Sequence, residues 1–226
     1  MLTGLKKELK NILKEKKIPS HDDLLKLADS VSTILESEVT YYRQPASGGV
    51  TGSLLDFQSN DLPAVVVPDL HGRADFLLNI INYRLPKRFA GKAVSVFKAL
   101  EKGLIRLIFV GDILHTERNT KIRWRLAEKD FNNNIFSGPA MSEEMAESLS
   151  LWEGLFSLKA VFPEFCHILK GNHENIMNIS SNGDFSFRKY ANEGAMVKAF
   201  IQDYYGDDIF IYDSLCGVCA SFSCCR

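Results

Sequence analysis

Five side chains have the types and spacing of a divalent-cation site. Asp69 and His71 lie in Pro68-Asp69-Leu70-His71-Gly72, and Asp112 follows Gly111 in Val110-Gly111-Asp112-Ile113-Leu114-His115. Asn172 and His173 lie in Gly171-Asn172-His173-Glu174. On an extended segment, residues two apart face the same side, so Asp69 and His71 could share one ion. Asp112 has two carboxylate oxygens and could bridge two ions, and Asn172 offers a neutral carbonyl oxygen. Mixed nitrogen and oxygen donors suit Mn²⁺, Fe or Zn²⁺ better than Ca²⁺. The neighbouring glycines allow tight turns and close approach to an anion. Each fragment alone is weak, since D-x-H is common and G-N-H-E also reads as a turn with a helix cap. All three in order, each directly after an apolar run, make a site.

The apolar runs are the elements that must carry these side chains. Ala64 to Val67, Leu104 to Val110 and Cys166 to Leu169 read as buried strands. Helical patterns cover 74–85, 92–102, 121–131, 142–160 and 188–204, with a Gly-Pro break at 138–139 and a further strand at 208–212. Such alternation predicts α/β layering with a mainly parallel sheet. Ligands of open α/β sheets bind beyond the carboxyl ends of the strands, which would gather the five residues in one place. Ahead of the first strand, Leu2, Leu5, Leu9 and Leu13 recur at helical spacing. Pro19-Ser20 breaks that pattern, and Ser20 is placed to cap a second helix over 21–37. Residues 43–60 read as loop. The expected division is a helical extension with its loop over 1–60, then the main domain over 61–226.

Bulk properties narrow the function classes. The 226 residues are 46% hydrophobic, enough for a core, and the net charge is −1. That balance argues against non-specific nucleic-acid binding, which needs a basic face. It leaves room for a phosphorylated ligand, because a bound cation supplies positive charge locally. No apolar run approaches the roughly 20 residues that span a bilayer, and the basic N-terminus lacks a signal-peptide apolar stretch. A cytoplasmic protein with no membrane partner is the expectation. Four of the five cysteines (Cys216, Cys219, Cys224 and Cys225) crowd the last eleven residues, which reads as reduced thiols rather than a disulfide framework.

The order D-x-H-G, G-D, G-N-H-E over about residues 62–215 resembles the calcineurin-like metallophosphoesterases, particularly their serine/threonine protein phosphatase branch. The resemblance implies a two-sheet sandwich flanked by helices (αββα) and a centre of two divalent ions, with Mn²⁺ the leading expectation and Fe or Zn²⁺ the alternatives. Asp69 and His71 would bind the first ion, Asp112 would bridge both, and Asn172 would bind the second. His173 would protonate the leaving oxygen of a phosphorylated substrate, either a protein or a small molecule.

Two departures stand out. The family's G-D-x-x-D-R-G is here Gly111-Asp112-Ile113-Leu114-His115-Thr116-Glu117. His115 therefore takes the place of the aspartate that orients the catalytic histidine. Thr116 replaces the phosphate-gripping arginine, a part that Arg73 or Arg118 could take over. The family's second ion also receives two later histidines, whereas no histidine follows His173 here. The expectation is a C-terminally truncated domain with an under-liganded second ion and an exposed edge through which the chain could self-associate. A phosphodiesterase or a non-catalytic metal-binding remnant are the alternatives to a phosphatase.

Overall fold

The computed structural model describes residues 2–38, 42–45, 52, 54–57, 62–89, 92–118, 120–174, 176 and 187–206. The strand expected at 208–212 and the four clustered cysteines lie outside the described residues, as does the edge expected to self-associate.

The chain is mixed α/β. Two helices come first, α1 (Leu2–Glu15) and α2 (His21–Glu36). Ser20 caps α2 as expected, its hydroxyl accepting from the Asp23 N–H at 3.3 Å. β1 (Ala64–Val67) leads to α3 (Ala74–Asn82), and then β2 (Arg84–Leu85) pairs antiparallel with β3 (Val94–Ser95). α4 (Val96–Leu100) precedes β4 (Arg106–Phe109), which is followed by α5 (Lys121–Phe131), α6 (Pro139–Val161), β5 (Cys166–Ile168) and α7 (Glu193–Tyr204).

Three local readings change. The pattern over 92–102 is a short strand followed by a helix, because the Ser95 hydroxyl accepts from the Lys98 N–H and starts α4 only there. Gly138-Pro139 separates α5 from α6 as expected, but α6 starts at Pro139 rather than at 142, with proline at the first helical position where its missing N–H costs nothing. β1 is also less buried than its apolar run suggested: Val67 is covered, but Val66 is 61% exposed. β1 ends the sheet, and its outer face carries no covering layer among the described residues.

The sheet runs in the order β1-β4-β5, all parallel, with Val66 opposite Ile108 and Ile108 opposite His167. β4 is therefore central, and all three carboxyl ends point the same way. The β2–β3 pair is the other sheet among the described residues.

α6 organises the helical layer. It is buried nearly all round, through Met145, Leu149, Trp152, Leu155 and Phe156, as a helix enclosed by others must be. α1, α2, α3, α5 and α7 pack on it. Leu5, Leu9 and Leu13 of α1 and Leu24, Ala28 and Val31 of α2 belong to the same core as Leu107 and Phe109 of β4. The two helices of the expected extension are thus part of the main core. Behind the sheet, the buried Glu38 carboxylate is shared by Arg43 and Lys159, tying the end of α2 to α6. No described helix is long and apolar enough to cross a membrane.

Candidate metal centre

The site is built first from backbone. The N–H groups of Leu70 and His71 donate to the Asp112 carbonyl at 3.2 and 2.6 Å, and the Gly72 N–H donates to the Ile113 carbonyl at 2.8 Å. The loop after β1 is laced in this way to the loop after β4. His71, Asp112 and His115 have φ of 45°, 49° and 69°, three of the five non-glycine residues with positive φ among those described. L-residues rarely adopt this region, and such strain gathers at functional sites. His71 consequently sits in a turn over 70–73, closed by the Arg73 N–H on the Leu70 carbonyl at 3.0 Å, so Asp69 and His71 do not share the extended stretch expected from the sequence. The turn, rather than the pleat, brings both side chains to Asp112.

Glycine lets the third loop close in. Gly111 has φ of 102°, and a Cβ there would lie 2.2 Å from the Gly171 nitrogen. A Cβ on Gly171 would lie 2.1 Å from Asp112 Oδ1. Gly171→Ala is expected to displace the Asp112 carboxylate and weaken divalent-cation binding by about 10- to 100-fold, the usual cost of mis-orienting a ligand. Calorimetric titration with Mn²⁺ against the unsubstituted chain checks this.

Glu174 locks the loops together. Its buried carboxylate accepts from the N–H groups of Asp112 (2.8 Å), Ile113 (2.6 Å) and Gly171 (2.7 Å). Burial pushes its pKa up to about 7 against those donors. The His173 N–H donates to Asp112 Oδ1 at 2.9 Å, and Asp112 Oδ2 faces His71 Nε2 at 3.9 Å. His71 Nδ1 lies 3.1 Å from the His115 carbonyl and 3.4 Å from that of Leu114. Carbonyls only accept, so Nδ1 carries the proton and Nε2 keeps its lone pair, the tautomer of a metal ligand.

His115 is 1% exposed and stacks on Trp124 at a centroid distance of 5.0 Å and on His173 at 4.6 Å. Its Nε2 lies 3.3 Å from Oε1 of the buried Glu193. Burial opposes ionisation of Glu193, but hydrogen bonds from His115 and from the N–H groups of Tyr190 and Lys189 outweigh it and hold its pKa at about 2. An ionised Glu193 fixes the proton of His115 on Nε2. His115 Nδ1 is left with its lone pair, buried and without a hydrogen-bond partner, 3.6 Å from Glu117 Oε1. The Thr116 N–H donates to the buried Glu144 at 2.7 Å, anchoring this loop to α6.

His173 Nδ1 is likewise buried without a hydrogen-bond partner. Burial pushes the ring down to about 4; the Asp112 charge opposes this, and His115 and His71 add to it. Burial therefore favours the unprotonated ring at neutral pH. Glu117 binds the Lys189 ammonium, and its Oε1 lies 3.7 Å from His71 Nε2. Burial raises its pKa, but the hydrogen bond and charge of Lys189 hold it below the ordinary value.

Two groups result that could hold metal ions. Asp69, His71 and Asp112 offer ligand atoms within 4.8 Å of one another, and so do His71, His115, Glu117 and His173. The donors fit a cation: the lone pairs that would bind it are pre-oriented, and two of the nitrogens are orphaned and buried. Asn172 opens the short 3₁₀ turn Asn172–Glu174 with its side chain exposed. Arg73 and Arg118 line a cleft of about 470 Å³ beside His71 and Glu117. Arg73 is tied back to its own loop, donating to the carbonyls of Leu70 (3.0 Å) and Asp69 (2.6 Å).

Sequence reading missed three carboxylates. Glu117 stands two residues beyond His115, and that spacing on a turn was a usable signal. Glu174 belongs to a motif already noted, but its partners are backbone groups that no side-chain pattern reveals. Glu193 had no signal, being far from the motifs in sequence. No protein-family model matches the chain, and no curated protein matches it.

Proposed function

We propose that this chain is a metal-dependent hydrolase of phosphate esters, with a phosphorylated protein or small molecule as substrate. In the same reading, the parallel sheet is one layer of a metallophosphoesterase-type sandwich. The single observation behind it is the meeting of Asp69, His71 and Asp112 within 4.8 Å at the carboxyl ends of adjacent parallel strands. Divalent ions bound there, with Mn²⁺ the first to test, would neutralise the phosphate and acidify a water to make a nucleophile at neutral pH.

The residues of the chain divide the remaining work. Asp69, His71 and Asp112 would hold an ion, with His71 oriented by the carbonyls that bind its Nδ1. Arg73 holds the Asp69 loop in shape through its own hydrogen bonds. Arg118 is exposed at the cleft and would meet the substrate phosphate. The site opens to solvent through this cleft, which admits a phosphate carried on a larger molecule.

The test is hydrolysis of a phosphomonoester and a phosphodiester by the purified chain, after chelation and re-addition of Mn²⁺, Fe²⁺ or Zn²⁺. Metal-restored turnover of the monoester supports the reading. Preference for the diester moves the substrate class, and no turnover with any ion defeats it.

A further inference from the structure

We propose that His115, Glu117 and His173 form a second divalent-cation site, a His₂–carboxylate set, next to the Asp69–His71–Asp112 group. It rests on the hydrolytic reading only in supplying that centre with its second ion; the site itself stands on geometry. The ligand atoms of His115, Glu117 and His173 lie within 4.8 Å of one another and of His71. His115 Nδ1 and His173 Nδ1 are both buried without a hydrogen-bond partner. Leaving such nitrogens unsatisfied is costly unless a ligand completes them. The Nε2 of His115 is taken by Glu193 Oε1 at 3.3 Å, so Nδ1 is the ring nitrogen that faces Glu117, 3.6 Å away.

The donor set points to the kind of ion. Two imidazoles and one carboxylate, with a position left open, form the three-protein-ligand pattern of catalytic Zn²⁺ sites. Nitrogen-rich sets favour the later first-row ions over Mg²⁺ or Ca²⁺. His71 has one available nitrogen and belongs to the first group, so the two sites share a wall without sharing a ligand. His115 and Glu117 thereby acquire a task in this chain: they supply the second ion from the loop after β4.

Lys189 gives the proposal its sharpest handle. Its ammonium already pairs with Glu117 Oε1, placing a cation against a proposed ligand. An incoming ion must displace that ammonium. Lys189 is 43% exposed and can swing into solvent. Removing it therefore tightens binding at this site, an effect that an ordinary surface ion pair would not produce.

The experiment is calorimetric titration of the chelator-treated full chain with Zn²⁺, and with Co²⁺ as a spectroscopic probe, on the unsubstituted chain and on Glu117→Gln, His115→Gln and Lys189→Met. The expected result is two equivalents for the unsubstituted chain. Glu117→Gln and His115→Gln lose one equivalent, or bind it roughly 100-fold more weakly through loss of one of three protein ligands. The Co²⁺ bands of a low-coordinate nitrogen site vanish with it, and Lys189→Met strengthens the same equivalent. His115 is a core residue, so Glu117→Gln, whose side chain is partly exposed, carries the decision if His115→Gln fails to fold. Unchanged stoichiometry and affinity in Glu117→Gln would overturn the site. Two ions bound without phosphoester hydrolysis would retain this site and defeat the hydrolytic reading. Hydrolysis with a single ion, indifferent to Glu117→Gln, would do the reverse.

Discussion

Asp112→Asn is expected to lower the proposed metal-dependent phosphoester hydrolysis by about 1,000-fold, roughly 4 kcal/mol of transition-state stabilisation, while the fold survives. The substitution keeps shape and removes charge. Asparagine still accepts the His173 N–H through its carbonyl oxygen, which Asp112 Oδ1 does at 2.9 Å. The other oxygen, facing His71 Nε2, becomes an amide that cannot ligate as an anion. The other hydrogen bonds that hold the three loops together are made by backbone and by Glu174, and the one that Asp112 accepts from the His173 N–H is kept. Thermal unfolding should therefore move little, while turnover with Mn²⁺ and the Mn²⁺ content per chain both fall. Retained turnover in this variant would place the hydrolysis elsewhere on the molecule.

The largest expected effect on stability belongs to Glu193→Ala. The Glu193 side chain is fully buried and accepts from the N–H groups of Lys189, Tyr190 and Ala191 and from His115. Alanine leaves these donors, part-buried in the case of the three N–H groups, without a protein acceptor. Unsatisfied buried donors cost on the order of 1 kcal/mol or more each, so the loss is about 3–4 kcal/mol. For a chain of this size that lowers the melting temperature by about 10 °C, measurable by calorimetry or circular dichroism. The same carboxylate gives a pH signature. Its pKa in the fold is about 2, against an ordinary 4.5. A depressed carboxylate stabilises the fold fully above its unfolded pKa, and that contribution fades as pH falls from about 4.5 towards 2. Chemical denaturation between pH 5 and pH 2 should accordingly show a steeper loss for the unsubstituted chain than for Glu193→Gln. Parallel curves would mean that Glu193 is not held ionised by these donors.

How much of this was legible in the sequence follows from the range of the interactions. Helices set by local periodicity and caps could be read directly. Leu5, Leu9 and Leu13 mark the buried face of α1, Ser20 starts α2, and residues 121–131 form α5 as their pattern predicts. The short apolar runs gave the three strands, and the alternation with helices gave a parallel sheet. Boundaries failed where a single capping residue decided them, as at Ser95 and Gly138. The exposure of Val66 was not legible either, because a strand's sequence does not say whether another layer covers it.

The sequence by itself pointed to Asp69, His71, Asp112, Asn172 and His173 as cation-binding side chains gathered at one end of a sheet; it did not show His115 or Glu117 as ligands. Motif residues directly after strands have few places to go once the strands run parallel. Only the tertiary structure decided how they are held and charged. Contacts across 61 and 62 residues let Glu174 bind the loop after β4. One across 78 residues lets Glu193 set the tautomer of His115. Burial then favours a neutral His173 ring and leaves the Nδ1 atoms of His115 and His173 without hydrogen-bond partners. Desolvation and long-range hydrogen bonding are properties of the packed chain, and no local pattern of residues encodes them.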